Sequence, residues 1–405
     1  MSTIIMDSCK NAARPCPICG SREAYIISEQ SFELPDGHPL PSAWDVVSCP
    51  TCLFAYADTE ASQETYDYYY SDFSKYEHDA TSTGGGSTDT DRQRLEDTAD
   101  LIAAVISQDD CILDLGCANG GLLSAFKKLG FSSLTGVDPS PVCAETTAEL
   151  GVEGLTGSLF NPPVGGRQFK AVILCHVMEH ICDLQTAAEV LRGLVDADGY
   201  LYVEVPDASR YGGYSDAPFQ DFNVEHINHF DHSSLSNLFE SKGFITADKG
   251  IRDIPSPAGW VYPSVWCLFK LRTASDRSDF QWHRNLAIKD SLDRYTLDSL
   301  KQIKFIDQIL ASYVESRTSV IVWGTGQLTI KLLAQSVLSE CNIACFIDGN
   351  PGNHGKLLRG VEIFSPEILQ SLPYPIIIGS LLHHEAIENH IITQCSDQRS
   401  IIKLT

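Results

Sequence analysis

From about residue 95 the chain alternates between two hydrophobic periods. RLEDTADLIAAVI (94–106) places apolar residues at helical spacing, and CILDL (111–115) is a short apolar run of the kind a doubly buried strand shows. LLSAFKKLG (122–130) returns to the helical period and LTGVD (134–138) to the strand. After another helix come the strands FKAVILC (169–175) and GYLYVEVP (199–206), then the helix SSLSNLFESKG (233–243). Alternation of this kind predicts a parallel, doubly wound, Rossmann-like α/β sheet. ITADKGI (245–251) and SVWCLFKL (264–271), joined by a turn with Pro and Gly, predict an antiparallel pair at its edge.

The pattern differs on either side of this region. Residues 1–60 carry two CxxC pairs, and 61–95 form an aromatic, polar lead whose Gly triplet and Ser/Thr runs signal a loop. The core is expected over 96–275 and a helical connector over 276–316. A smaller Rossmann-like β/α unit over 317–405 is marked by VIVWGTG (320–326), CNIACFIDGNP (341–351) and YPIIIGS (374–380).

Composition narrows the function classes. At 405 residues with 43% hydrophobic content the chain has room for two or three domains. No apolar run reaches the roughly 18 residues of a membrane span, and the N-terminus lacks the pattern of a secretory signal. A cytoplasmic protein with no membrane role is therefore expected. The net charge of −24, with no basic patch, argues against a nucleic-acid partner.

Fourteen cysteines would suit a disulfide scaffold, but most stand alone in apolar strands, as reduced buried thiols do. Cys16, Cys19, Cys49 and Cys52 differ. Two CxxC knuckles separated by 29 residues predict a closed, four-sulfur, structural Zn2+ site with no open position for substrate.

The strand CILDL runs into GCANGG and a helix, so the backbone near Gly116 and Gly120 can approach a ligand closely. The next strand ends at Asp138, 22 residues after Gly116, where a carboxylate accepts from ribose hydroxyls. A generic dinucleotide site shares these features. Asp114, the run D-x-G-x-x-x-G and the later CHVMEHICD give a sharper match: the region resembles the class I S-adenosylmethionine-dependent methyltransferases.

That resemblance implies S-adenosylmethionine held by Asp114, Gly116, Asn119, Gly120 and Asp138, with Cys117 and Pro139 on the same two turns. Ala118 stands where many members have a second Gly. Ser158 and Leu159 would lie near the adenine. Cys175, His176 and Glu179 would sit just past the fourth strand at the active-site mouth, although Glu179 and His180 also suit a helix start.

The order of knuckles, core, helical stretch and second β/α unit resembles the zinc-containing nucleotide-sugar C-methyltransferases. The resemblance implies a nucleotide-linked keto-sugar as the small-molecule partner. Within DFNVEHINHFDH (221–232), VEHINHF resembles that family's His-Glu-His loop after the fifth strand, which makes Glu225 and His226 the base pair near the acceptor. Val224 and His229 depart from the family's usual residues there. Metal ligation by His226, His229 and His232, or a solvated loop, are weaker readings of the same stretch. Tyr70 and Tyr76 would fold over the site as a lid, or form a structural aromatic cluster.

Three alternatives accompany this expectation, one of them a non-catalytic binding scaffold. An O-methyltransferase acting on a sugar or natural-product hydroxyl would use the same residues. A nicotinamide-dependent enzyme would use the C-terminal unit, where Asp348 follows Gly326 at dinucleotide spacing but the third Gly is replaced near Thr329. Oligomeric state is not legible in the sequence.

Overall fold

The computed structural model describes residues 9–72, 86, 88–214, 217–255, 261–273, 280–381, 383–394 and 399–404. Its centre is a seven-stranded sheet. We label its strands β1 (Ile112–Leu115), β2 (Leu134–Asp138), β3 (Glu153–Thr156), β4 (Phe169–Cys175), β5 (Val195–Pro206), β6 (Phe244–Pro255) and β7 (Val261–Leu271). The spatial order is β6-β7-β5-β4-β1-β2-β3. β1 to β5 are parallel, and β7 runs antiparallel to both β5 and β6.

This is the Rossmann-like core and edge pair that the sequence pattern predicts. Helices Asp89–Ala103, Gly121–Lys128, Pro141–Glu149, Leu184–Leu194 and His232–Glu240 connect and cover the strands. β1 is buried along its whole length, because helices on both faces of a parallel sheet leave its strands no wet side.

The N-terminal strands Cys9–Asn11, Glu23–Ser31, Ala43–Ser48 and Ala55–Asp58 form an antiparallel sheet. Its fifth strand, Asn228–His229, comes from the distant VEHINHF loop and pairs with Ala55–Tyr56. This sheet is buried on both faces. Val47, Phe54 and Tyr56 join the core of the seven-stranded sheet, while Val46, Ala55 and Ala57 join a second core with the C-terminal unit. The two-residue period of a strand sends neighbours to opposite faces, so AYAD is buried throughout although its alternation is not visible as apolar and polar.

The helix Ala287–Ser316 leads into the C-terminal unit. There a six-stranded sheet is built on Ser319–Trp323, flanked by the parallel strands Asn342–Ile347 and Ile376–Ile378. The unit docks on the N-terminal sheet: the Glu33 N–H donates to the Ile330 carbonyl at 2.8 Å. Lys331, 2% exposed, donates to Gln30 and lies 3.9 Å from the Phe32 ring centre. Among the described residues, no helix is long and apolar enough to cross a membrane.

Candidate functional site

The carboxyl ends of β1 and β2 make a tight turn. Gly116 has φ 79°, and a Cβ there would lie 2.6 Å from Val177 Cγ2, so both conformation and space require glycine. Ala118 (φ 45°) and Gly120 (φ 74°) also occupy the left-handed region. For Ala118 this is strained, which fits its standing where a second glycine is common. The turn is pinned by N–H donation from Gly116 to the Val137 carbonyl at 2.8 Å and from Ala118 to Asp138 Oδ2 at 2.9 Å. Asp138 Oδ1 accepts from the Ser140 N–H at 2.9 Å.

Around this turn Asp114, Cys117, Asn119, Asp138 and Leu159 are buried. Cys117 contacts Thr147 Oγ1 at 3.6 Å beneath the turn. Burial pushes the Asp114 carboxyl up to about 7; the Asp138 charge adds to the shift and Arg94 opposes it. Pro139 follows the end of β2, and Ser158 lies just past β3. The first-turn residues expected from the sequence therefore converge at one sheet edge.

A second buried network lies beside it, and sequence reasoning missed it. Glu204, fully buried on β5, accepts from the Tyr202 hydroxyl at 2.6 Å, the Ser264 hydroxyl at 2.9 Å and Arg252 Nη1 at 3.3 Å. Burial raises its carboxyl, but Arg252, His176, Tyr202 and Arg94 outweigh it and hold Glu204 ionised. Burial and the neighbouring Glu204 and Asp114 charges push the Cys175 thiol up, so it is not a thiolate nucleophile. Arg94 bonds Asp91 through Nη2 at 2.8 Å, while its Nη1 is buried without a hydrogen-bond partner. The available signal was a charge inside an apolar strand, LYVEVP, and a cation on the helix before β1.

A cluster of histidines and carboxylates lies past β4. His176 has φ 56°, donates its N–H to the Glu204 carbonyl at 2.8 Å, and places Nδ1 3.3 Å from Glu179 Oε1. His180 Nδ1 lies 3.0 Å from the Glu225 carbonyl oxygen, so Nδ1 carries the proton and Nε2 faces Glu179 Oε1 at 4.0 Å. The His180 and His226 rings are 5.0 Å apart. One ligand atom each from Glu179, His180 and His226 lie within 4.8 Å of one another. Such a set is able to hold a proton or a divalent cation between a carboxylate and two imidazoles.

The Glu225 carboxylate accepts from the Tyr69 hydroxyl at 3.3 Å, and Glu179 is the carboxylate gathered with His226. His229 is fully buried against Phe222 (4.7 Å) and Tyr211, with both ring nitrogens unpartnered; burial first, then Arg14, pushes it down to about 3. His232 opens a helix and contacts the Gly250 carbonyl at 3.0 Å. The weaker metal reading of His226, His229 and His232 is thus not assembled. The Tyr70 ring packs edge-on to His180 at 5.5 Å, while Tyr76 lies outside the described residues.

At the other end, Cys16, Cys19, Cys49 and Cys52 present sulfurs within 4.8 Å of one another, with Cys16–Cys52 at 3.6 Å and Cys19–Cys49 at 3.4 Å. A tetrahedron of bonds about 2.3 Å long separates sulfurs by about 3.8 Å, so the four thiols fit Zn2+. Both knuckles close the same way, through left-handed residues Gly20 (φ 76°) and Leu53 (φ 64°). Hydrogen bonding among the four thiols pushes Cys19 and Cys49 down and Cys16 and Cys52 up.

Residues 89–247 match the family described as methyltransferase domain, and residues 316–402 match the family described as C2185-like, N-terminal. Comparison with curated proteins gives no significant match. Among solved structures, the Burkholderia thailandensis 1,6-didemethyltoxoflavin-N1-methyltransferase, with bound 1,6-didemethyltoxoflavin and S-adenosylhomocysteine, is 18% identical; the alignment covers 57% of this chain and 96% of that one at a TM-score of 0.41. An S-adenosylmethionine-dependent methyltransferase from Methanosarcina mazei is 14% identical over 43% of this chain and 98% of its own, at 0.37. The CcbJ methyltransferase of Streptomyces caelestis is 11% identical over 44% and 90%, at 0.35.

Proposed function

We propose that residues 89–247, which match a methyltransferase domain, form a class I methyltransferase that moves a methyl group from S-adenosylmethionine to a nucleotide-linked keto-sugar, with His226 as the base. The observation that carries this is the meeting of two sets at the carboxyl ends of the strands. One is the Gly116–Asp138 turn; the other is the Glu179, His180 and His226 cluster.

The residues fit the cofactor. Asp138 would take the ribose hydroxyls, and the buried Arg94 Nη1, without a hydrogen-bond partner, would meet the methionine carboxylate. Leu159 and Ser158 would lie near the adenine, and the buried Asp114 carboxyl stands beside the turn. When bound, S-adenosylmethionine supplies an electrophilic methyl on a sulfonium. The protein must orient an electron-rich acceptor atom and remove its proton. His226 takes that proton, from an α-carbon in a keto-sugar, and Glu179 stabilises the imidazolium. His176 Nδ1, 3.3 Å from the same carboxylate, holds it in place. Zn2+ in the four-cysteine site would be structural.

His226→Ala should lower kcat by about 10²–10⁴-fold, the usual contribution of a general base, with the Kd for S-adenosylhomocysteine unchanged. Unchanged turnover would remove His226 from the reaction. The acceptor class is tested by titrating nucleoside diphosphates and nucleotide-sugars into protein saturated with S-adenosylhomocysteine. Binding of one nucleotide supports the reading, and none across the panel drops the nucleotide-sugar. Solvent deuterium entering the acceptor's α-position without methyl donor marks carbon chemistry; its absence points to a hydroxyl acceptor.

A further inference from the structure

The geometry points to Arg14 as a positioning residue that clamps the two histidine-bearing loops of the acceptor site to the cysteine module. The inference rests on the functional reading above, because it assigns that site its support. Arg14 lies two residues before Cys16 and is 7% exposed. Its Nη2 donates to the Cys182 carbonyl at 2.8 Å, the Ile181 carbonyl at 3.5 Å and Asn228 Oδ1 at 2.9 Å. Its Nη1 donates to the Ile227 carbonyl at 3.1 Å and the Ala57 carbonyl at 3.3 Å.

These acceptors sit on three elements. Ile181 and Cys182 directly follow His180, Ile227 and Asn228 directly follow His226, and Ala57 belongs to the module's last strand. The clamp is cross-braced. Asn228 Nδ2 donates to the Met178 and Ile181 carbonyls at 2.9 and 2.7 Å, and the Ile227 N–H donates to the Glu179 carbonyl at 2.9 Å. The Arg14 N–H itself donates to Asp58 Oδ1 at 2.8 Å, which fixes the residue's own backbone to the module.

Each acceptor of the guanidinium named here is a neutral oxygen. A buried cation held by neutral oxygens and the Tyr56 ring is expensive to desolvate, and its retention makes sense where a planar fork must fix several loops at once. A lysine ammonium reaches as a point charge and cannot span the same acceptors. The spacing between His180 and His226 then depends on Arg14, although it touches neither ring nor any substrate position described above.

The test uses Arg14→Lys in the full chain, read first by imidazole ¹⁵N spectra and independently of any acceptor. The His180 and His226 signals should move, while those of His354 and His390 in the C-terminal unit stay. S-adenosylhomocysteine affinity should hold within about twofold, and zinc per chain should be unchanged. Turnover should fall about ten- to a hundredfold in kcat without a change in the KM for S-adenosylmethionine, the scale of a displaced catalytic group. Unmoved His180 and His226 signals overturn the proposal, as does a shift of all the histidine signals together, which marks general loosening. If Arg14→Lys does not fold, Asn228→Ala removes the Oδ1 acceptor and the cross-brace and should move the same two signals. Moved signals together with full turnover in His226→Ala would keep the clamp and discard the base.

Discussion

The molecule contains the same turn twice. In the core, the Gly116 N–H donates to Val137, while Asp138 accepts the Ala118 and Ser140 N–H groups. In the C-terminal unit, the Gly324 N–H donates to Ile347 at 2.7 Å, and Asp348 accepts the Thr325 and Asn350 N–H groups at 2.9 and 2.8 Å. The difference lies in what surrounds the turn. Two residues before Gly116 stands the buried carboxyl of Asp114, and two before Gly324 stands Val322. The C-terminal turn is also stitched shut: the Thr329 hydroxyl donates to the Gly324 carbonyl at 2.6 Å and to the Gly379 carbonyl at 3.2 Å. A glycine turn with a following Asp is thus a way of joining strand to helix. It becomes a candidate cofactor site where a further buried carboxyl accompanies it.

The widest separation between the two turns should appear in Asp138→Ala against Asp348→Ala. The first should weaken S-adenosylhomocysteine binding about ten- to a hundredfold, the loss expected for one or two charge-assisted hydrogen bonds. The second should leave it within about twofold. Equal losses in calorimetric titration would end the distinction.

Closure of the C-terminal turn is tested by Gly379→Ala. Its Cβ would meet Thr329 Oγ1 at 2.2 Å and the Gly324 carbonyl at 2.9 Å. Overpacking of this kind should cost about 1–3 kcal/mol in urea denaturation, with methyl transfer intact. No loss of stability would mean that the turn is looser than it stands here.

The raised Asp114 carboxyl makes a prediction only for the core turn. If the cationic cofactor favours ionised Asp114, binding must expel its proton below about pH 7. Affinity should then rise by up to about tenfold per pH unit up to about pH 7 and flatten above it. Asp114→Asn should remove the slope.

The smallest effect is on stability. Asp114 is raised from 3.8, so its contribution is fully present below about 3.8 and lost as pH rises through about 7. His229 is lowered from 6.5 to about 3, so its contribution is fully present above about 6.5 and lost as pH falls towards 3. The two slopes oppose each other between about pH 4 and 6.5. Asp114→Asn should expose the histidine as an acid-side loss of about 1 kcal/mol per pH unit in denaturant midpoints. A flat profile in that variant would show His229 to be solvated or paired.

Much of the core was legible. Apolar runs of strand length, helical periods between them, glycines at strand ends and Asp138 at its spacing are local signals, and each is fixed by backbone chemistry within a few residues. The cysteine knuckles were legible for the same reason, since a CxxC turn closes on itself. Glu204 with Arg252 and Glu225 with Tyr69 were not, because side-chain partners far apart in sequence leave no periodic trace.

What the sequence determined by itself, then, is the order of strands and helices, the glycine turn after β1 and the four thiols. Tertiary structure alone decided the rest. It drew Asn228–His229 into the N-terminal sheet, gathered Glu179 with His180 and His226, and buried Arg14 among carbonyls of three separate elements. The physical reason is range: local periods report how a segment meets its own neighbours, whereas a buried polar group is satisfied by whichever distant oxygen or nitrogen the packing of whole layers brings within about 3 Å.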